Sequence, residues 1–221
     1  MIVGVTGSIG SGKTTFADIL VSKHGWKKFD ADSSAKLSLV DNYTELSKMH
    51  PECFVNGELN RQAFANVLFT NTKLRQWVAD RVYESLCKLI DALVEQHPND
   101  YYILDVPLLF ESGLDRKCEC TIVVTAPDEL RQQRAMARSQ MTEEDFKQRD
   151  AVQMSQSEKE DRATFVVEND LELHELEQQA EAIVVNIMTQ KNICPRCNGW
   201  GADRNAPELD CPQCNGSGDV L

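Results

Sequence analysis

No run of apolar residues in this chain is long enough to cross a bilayer, and no basic leader ahead of an apolar segment opens it. Both absences argue against membrane insertion and secretion, and predict a soluble, cytoplasmic protein. Positive charge is also scarce. Lys and Arg number 23 against 35 Asp and Glu, a formal net charge of −12. Polynucleotide affinity rests on Lys and Arg neutralising phosphates, so a nucleic-acid partner is disfavoured; any nucleotide ligand should be small and held in a locally basic cleft. The four histidines, His24, His50, His97 and His174, show no metal-ligand spacing and read as surface or satisfied residues. Outside the C-terminal tail there is no internal repeat.

What is present is enough apolar material, 42% of 221 residues, for one substantial core with an appendage. Short β-branched runs alternate with stretches of helical period, the pattern of a parallel sheet covered by helices. Strands are predicted at 2–6, 28–30, 101–105, 121–125 and 164–167, and helices at 13–23, 61–69, 72–96, 127–139, 142–154 and 171–190. The expected fold class is therefore α/β, with a doubly wound, five-stranded parallel sheet. Asp128 and Thr142 are the expected N-terminal caps of two of the helices. Residues 31–57, which include His50-Pro51 and Asn56-Gly57, read as a turn-rich connection. Residues 1–190 form one domain and 191–221 a small module.

Gly7-Ser8-Ile9-Gly10-Ser11-Gly12-Lys13-Thr14 is a complete phosphate-binding loop between a predicted strand and a predicted helix. A triphosphate needs converging backbone N–H donors at a helix N-terminus, and glycines let the backbone wrap close to it. Ser8, Ile9, Gly10, Ser11 and Gly12 would form the cradle. Lys13 would reach the β- and γ-phosphates of ATP or GTP, Thr14 would bind Mg²⁺ through its hydroxyl, and Thr15 would touch the α-phosphate. A metal-holding carboxylate is expected at the end of a neighbouring strand. Asp105 ends the apolar run from Tyr101, and Asp30 and Asp32 end an earlier one. Arg131, Arg134 and Arg138 are three and four residues apart and share a helix face. They fit either a lid over the transferred phosphate or an ordinary solvated face paired with Asp128 and Glu129.

These motifs fall in an order that resembles the dephospho-coenzyme A kinases, over about residues 1–185. The matching segments are Gly4-Val5-Thr6-Gly7-Ser8-Ile9-Gly10-Ser11-Gly12-Lys13-Thr14-Thr15, Phe29-Asp30-Ala31-Asp32, Gly57-Glu58-Leu59-Asn60-Arg61 and Asp105-Val106-Pro107-Leu108-Leu109-Phe110-Glu111. Arg134 with Arg138, Gln153 and Asn169 complete the set. The resemblance implies a P-loop kinase fold with helical lid and acceptor regions, and transfer of the γ-phosphate of ATP to the ribose 3′-hydroxyl of dephospho-coenzyme A. It further implies that Asp32 orients or deprotonates that hydroxyl, that Arg138 bridges the moving phosphate beside Lys13, and that Asn169 lies near the adenine. Ser8 stands where the family usually has Gly. Residues 33–50 lack the family's Arg and Pro-Gly turn, Trp77-Val78-Ala79-Asp80-Arg81 replaces its His-Pro pair, and Thr164 replaces an acidic residue. These departures gather on the acceptor side, which keeps a nucleoside or deoxynucleoside monophosphate open as the small-molecule acceptor. A non-catalytic nucleotide-binding regulator is the alternative of a different class.

Of the eight cysteines, Cys194, Cys197, Cys211 and Cys214 form two Cys-x2-Cys pairs separated by thirteen residues. Four thiolates on a chain that folds back as a hairpin predict a structural zinc site with no open coordination position. The doubled Cys-x2-Cys-x-Gly-x-Gly pattern resembles the cysteine-rich repeats of J-domain co-chaperones. Such a tail can cap the kinase domain, bind a partner protein or contact nucleic acid, the last disfavoured by the acidic chain. Cys53, Cys87, Cys118 and Cys120 lie in apolar or helical stretches and read as free thiols.

Overall fold

The computed structural model describes residues 1–29, 42–139, 141–170 and 172–190, together with the strand residues 202–203 and 206–210. Its centre is β1 (Ile2–Thr6), buried along its whole length. A strand covered on both faces needs apolar residues at every position, which is why this segment reads as a continuous run. Five parallel strands form the sheet in the order β2 (Lys27–Lys28), β5 (Tyr102–Asp105), β1, β6 (Cys120–Thr125), β7 (Phe165–Glu168). Successive side chains point to opposite faces. Val3, Val5, Ile103, Ile122 and Val124 therefore join a core with α1 (Lys13–His24) and α8 (Leu173–Gln190), through Phe16, Leu20, Val184 and Met188. Ile2, Tyr102 and Leu104 face the other way, against Leu86 and Ile90 of α4 (Thr72–Gln96) and against Leu109 and Leu114.

A third, smaller apolar cluster stands apart from the sheet. Leu46 comes from α2 (Tyr43–Met49), Cys53 from a single 3₁₀ turn (Pro51–Cys53), Phe64 from α3 (Arg61–Thr70) and Leu74 from the start of α4. The hairpin of β3 (Phe54–Val55) and β4 (Glu58–Leu59) closes it. Its two turn residues, Asn56 and Gly57, have φ of 53° and 84°, the left-handed pair that Asn-Gly supplies at little steric cost.

The sequence expectations meet the structure closely along the sheet and less so between its elements. The second strand was expected at 28–30; the paired residues are Lys27 and Lys28, the ladder continues through the Phe29 N–H to the Ile103 carbonyl, and Asp30 and Asp32 lie outside the described residues. The supposed turn-rich stretch holds a helix, α2, which is short and buries one residue, Leu46, so it has little periodicity to read. The helix expected at 142–154 ends at Ala151, as α6 (Glu143–Ala151), and a separate α7 (Gln156–Arg162) follows. Each has a capping box, Thr142 with Asp145 and Ser155 with Glu158, so the second Ser-x2-Glu is a start signal passed over. Asp128 is not the residue before α5 (Asp128–Ser139) but its first residue.

Among the described residues, no helix is long and apolar enough to cross a membrane, and no group of His, Cys, Asp and Glu is gathered closely enough to hold a metal. Cys53 and Cys120 are buried and Cys87 and Cys118 half-buried, all four as thiols rather than disulfides. The tail cysteines Cys194, Cys197, Cys211 and Cys214 fall outside the described residues. The antiparallel pair β8 (Ala202–Asp203) and β9 (Ala206–Asp210) lies between their two positions in the sequence.

Candidate active site

The phosphate loop leaves β1 at Thr6 and enters α1 at Lys13, so its backbone crosses the C-terminal edge of the sheet at a helix N-terminus. There the unpaired N–H groups of the first helical turn and the helix dipole favour an anion. Gly10 and Gly12 both adopt left-handed backbone, φ 82° and 90°. A Cβ on Gly10 would overlap the Arg131 backbone carbonyl, so that position accepts no other residue without the loop moving, and one on Gly12 would displace the Asn169 amide. The Ser11 N–H closes the loop on the Ser8 carbonyl at 3.0 Å.

The loop forms one wall of a cleft of 570 Å³. Gly7 to Thr15 line it from below, Pro107 and Leu108 from the segment after β5, and Arg134, Ala135 and Arg138 from α5. Arg149, Val152 and Gln153 complete it from the end of α6. Sequence inspection reached Arg134, Arg138 and Gln153 but passed over Arg149, which reads as an ordinary member of an acid-rich helix.

β5 pairs with β1 in a register that sets Asp105 beside Val5, two residues before the loop. This brings Asp105 against Lys13, whose Nζ donates to its Oδ1 at 2.6 Å and lies 3.5 Å from the Thr14 hydroxyl. The side chains of Lys13 and Asp105 are only 18% and 14% exposed. Lys28 approaches the other carboxylate oxygen at 3.7 Å. A hard cation such as Mg²⁺ seeks oxygen ligands, and the two expected metal ligands, Thr14 and Asp105, already share one cation, the Lys13 ammonium. The donor set fits.

The three arginines of α5 part company. Arg134 and Arg138 line the cleft, and Arg134 also donates to the Asn169 carbonyl at 2.7 Å. Arg131 is 3% exposed and points beneath the loop. Its guanidinium binds Asp128 and Asp150, the closest contacts at 2.7 Å and 2.6 Å, and donates to the Ile9 carbonyl at 3.1 Å. Burial opposes its charge, and the Asp150 and Asp128 carboxylates more than offset that, so its pKa lies above the usual arginine value. The spacing of three and four predicts a shared face, which is correct as an angle; seven residues along the axis separate Arg131 from Arg138 by about 10 Å. Asn169, expected near the adenine, has its amide nitrogen on the Ser11 carbonyl at 2.7 Å in this structure.

The Pro107 carbonyl accepts from the Thr6 hydroxyl at 3.1 Å and from the Lys159 ammonium at 2.9 Å. Lys159 is fully buried, with the Glu111 carboxylate 3.3 Å away. Glu111 in turn accepts the Met154 N–H at 2.8 Å, which ties the Asp105 to Glu111 segment to the junction of α6 and α7. Nothing in the sequence around Lys159 signals a buried role.

The family described as dephospho-CoA kinase matches residues 1–175. The chain belongs to that family. The dephospho-CoA kinase of Deinococcus radiodurans is 37% identical over 186 residues, covering 81% of this chain and 89% of that one. That of Thermus thermophilus is 34% identical over 187 residues, covering 85% and 92%. A crystal structure of a Thermus thermophilus protein superposes with a TM-score of 0.73 at 34% identity, over 85% of this chain and 97% of that one. The match over residues 1–175 includes the loop, Asp105, Arg134, Arg138 and Asn169, and ends before the cysteine tail. The chain is thus a kinase of the dephospho-CoA kinase family, built on the P-loop kinase fold.

Proposed function

We propose that this protein transfers the γ-phosphate of Mg-ATP to the 3′-hydroxyl of dephospho-coenzyme A. The observation that carries the reading is the cleft itself: the glycine loop with Lys13 and two arginines of α5 converge on one volume, and Asp105 stands against Lys13. The loop N–H groups and Lys13 hold the β- and γ-phosphates, with Ser8 to Gly12 as the cradle and Thr15 on the α-phosphate. Thr14 and Asp105 hold Mg²⁺, which supplies charge neutralisation of the phosphates when bound. Arg134 and Arg138 cover the phosphoryl group and offset the negative charge that builds on it during in-line transfer. Asp32 handles the acceptor hydroxyl, a role that rests on its place in Phe29-Asp30-Ala31-Asp32. Asn169 serves the ATP end of the site.

A coupled ADP-release assay with Mg-ATP, comparing dephospho-coenzyme A with a panel of nucleoside and deoxynucleoside monophosphates, tests this directly. Turnover confined to dephospho-coenzyme A is expected. Turnover only with a monophosphate would mean a rebuilt acceptor pocket, and no ADP release with any acceptor would leave a nucleotide-binding regulator.

Residues 191–221 form a second unit that binds structural zinc through Cys194, Cys197, Cys211 and Cys214. Its support is the donor set, four thiolates in two Cys-x2-Cys pairs, and the antiparallel pairing of Ala202 with Asp210 between them, which returns the chain on itself. Protein purified without chelator should contain one zinc per chain by elemental analysis; a zinc-free result overturns the assignment. The unit is a candidate surface for a protein partner in the cytoplasm.

A further inference from the structure

Two carbonyls of the phosphate loop are held from outside the cleft. The Ile9 carbonyl accepts from Arg131 at 3.1 Å and the Ser11 carbonyl from the Asn169 amide at 2.7 Å. The described chain has no cis peptide bond, and in a trans peptide the C=O and the next N–H point in opposite directions. Fixing the Ile9 carbonyl on Arg131 therefore turns the Gly10 N–H away from Arg131. Fixing the Ser11 carbonyl on Asn169 does the same for the Gly12 N–H. Gly10 and Gly12 both line the cleft, so the side to which these N–H groups turn is the side a phosphate would occupy.

Arg131 is built to hold that orientation. It stands in the first turn of α5, almost wholly buried, and all three of its guanidinium nitrogens are engaged. Nε and one terminal nitrogen meet Asp128 at 3.3 Å and 2.7 Å, while the two terminal nitrogens meet the two Asp150 oxygens at 2.6 Å and 3.1 Å. The Phe146 ring packs against the guanidinium, 5.7 Å from its centroid. Asp150 and Phe146 belong to α6, the helix whose Arg149 reaches the cleft. One planar cation thus fastens the apex of the loop to the lid helix. A lysine could satisfy one of these acceptors well but not the fork.

We propose that Arg131 is a positioning residue for phosphoryl transfer: it aims the Gly10 N–H into the phosphate cradle and locks α6 against the loop, without touching a substrate atom. The inference rests on the reading of residues 7–15 as the ATP phosphate site, and is tested separately from it. Wild type, Arg131→Lys and Arg131→Met are titrated calorimetrically with Mg-ATP and with magnesium tripolyphosphate, a probe that has phosphates and no base. Thermal melting of each variant monitors its folding. Arg131→Met should weaken both ligands by the same factor, about tenfold to a hundredfold, because a charge-assisted hydrogen bond that orients the cradle is lost. Arg131→Lys should fall between, and the KM for the acceptor should stay at its wild-type value. A lower melting temperature with unchanged affinities for both probes would make Arg131 a fold brace only and overturn the proposal. Should Arg131→Met not fold, Asp150→Asn carries the test, since it loosens α6 and leaves Arg131 held by Asp128. A raised KM for ATP is then expected, and an unchanged one overturns the coupling. Wild-type protein that binds neither probe overturns the loop reading and this inference with it.

Discussion

Asp105→Asn should make metal-free ATP bind more tightly while nearly abolishing turnover. The Lys13 ammonium lies 2.6 Å from the Asp105 carboxylate, with both side chains less than a fifth exposed. At an effective dielectric of 20 the Coulomb attraction at that distance is about 6 kcal/mol before desolvation. What survives as a net contribution for a hydrogen bond between charged groups is about 1.5–3 kcal/mol. ATP can engage Lys13 only by drawing it off Asp105, and its phosphates must also approach the carboxylate. Removing that one charge frees the lysine and removes the repulsion, so the Kd for ATP in EDTA should fall about tenfold to a hundredfold. With excess Mg²⁺ the consequence reverses for catalysis. If Asp105 holds the metal as proposed, that metal loses an anionic ligand, and kcat should fall on the order of a hundredfold to a thousandfold. Calorimetric titration in EDTA and the coupled assay in Mg²⁺ read the two effects independently. Asp105→Asn protein that binds metal-free ATP no better than wild type would refute the idea that Asp105 competes for Lys13.

Arg138→Met should lower kcat with dephospho-coenzyme A on the order of a hundredfold, and raise the KM for ATP far less, if its charge acts mainly in the transition state. Equal effects on both would place it in ground-state binding. Gly57→Ala should destabilise the protein by about 1–2 kcal/mol, because φ is 84° there and nothing lies within 4 Å of the added Cβ, so the cost is backbone strain alone. Urea denaturation with an unchanged midpoint would contradict that account. Burial, with smaller contributions from Cys120 and Asp115, pushes the Cys118 thiol from the usual 9.0 up to about 12. Its protonated form is therefore favoured by folding, so its contribution to stability is complete below pH 9.0 and is lost as pH rises toward about 12. Native protein at pH 8 should leave Cys118 unlabelled by iodoacetamide while unfolded protein is labelled; rapid labelling of the folded protein would contradict its burial.

The strands were legible because each is a short β-branched run flanked by polar helical stretches, and the sheet they form places their C-terminal ends together. That alone predicted Asp105 beside the loop. The arginine face of α5 was half legible. Arg131, Arg134 and Arg138 could be assigned to one face, yet burial of Arg131 depends on Asp150 arriving from α6, nineteen residues further on. Lys159 was illegible for the same reason, its acceptors lying at Pro107 and Glu111. The small helix α2 was missed because the core it joins is assembled from four separate segments.

By itself the sequence located the candidate phosphate site, since a glycine loop at a strand-to-helix junction is largely local: backbone freedom at Gly10 and Gly12 and the start of α1 bring the N–H groups together, while Arg131 and Asn169 hold two of the loop carbonyls from far along the chain. It also determined the family, through the order of its motifs. Tertiary structure alone decided which arginine faces the cleft and which fixes the loop. It alone decided that Lys13 rests on Asp105, and that a buried lysine holds the segment after β5. Those outcomes depend on long-range register and on which carboxylate or carbonyl packs opposite each cation, and periodicity along one helix carries no information about the partner on another.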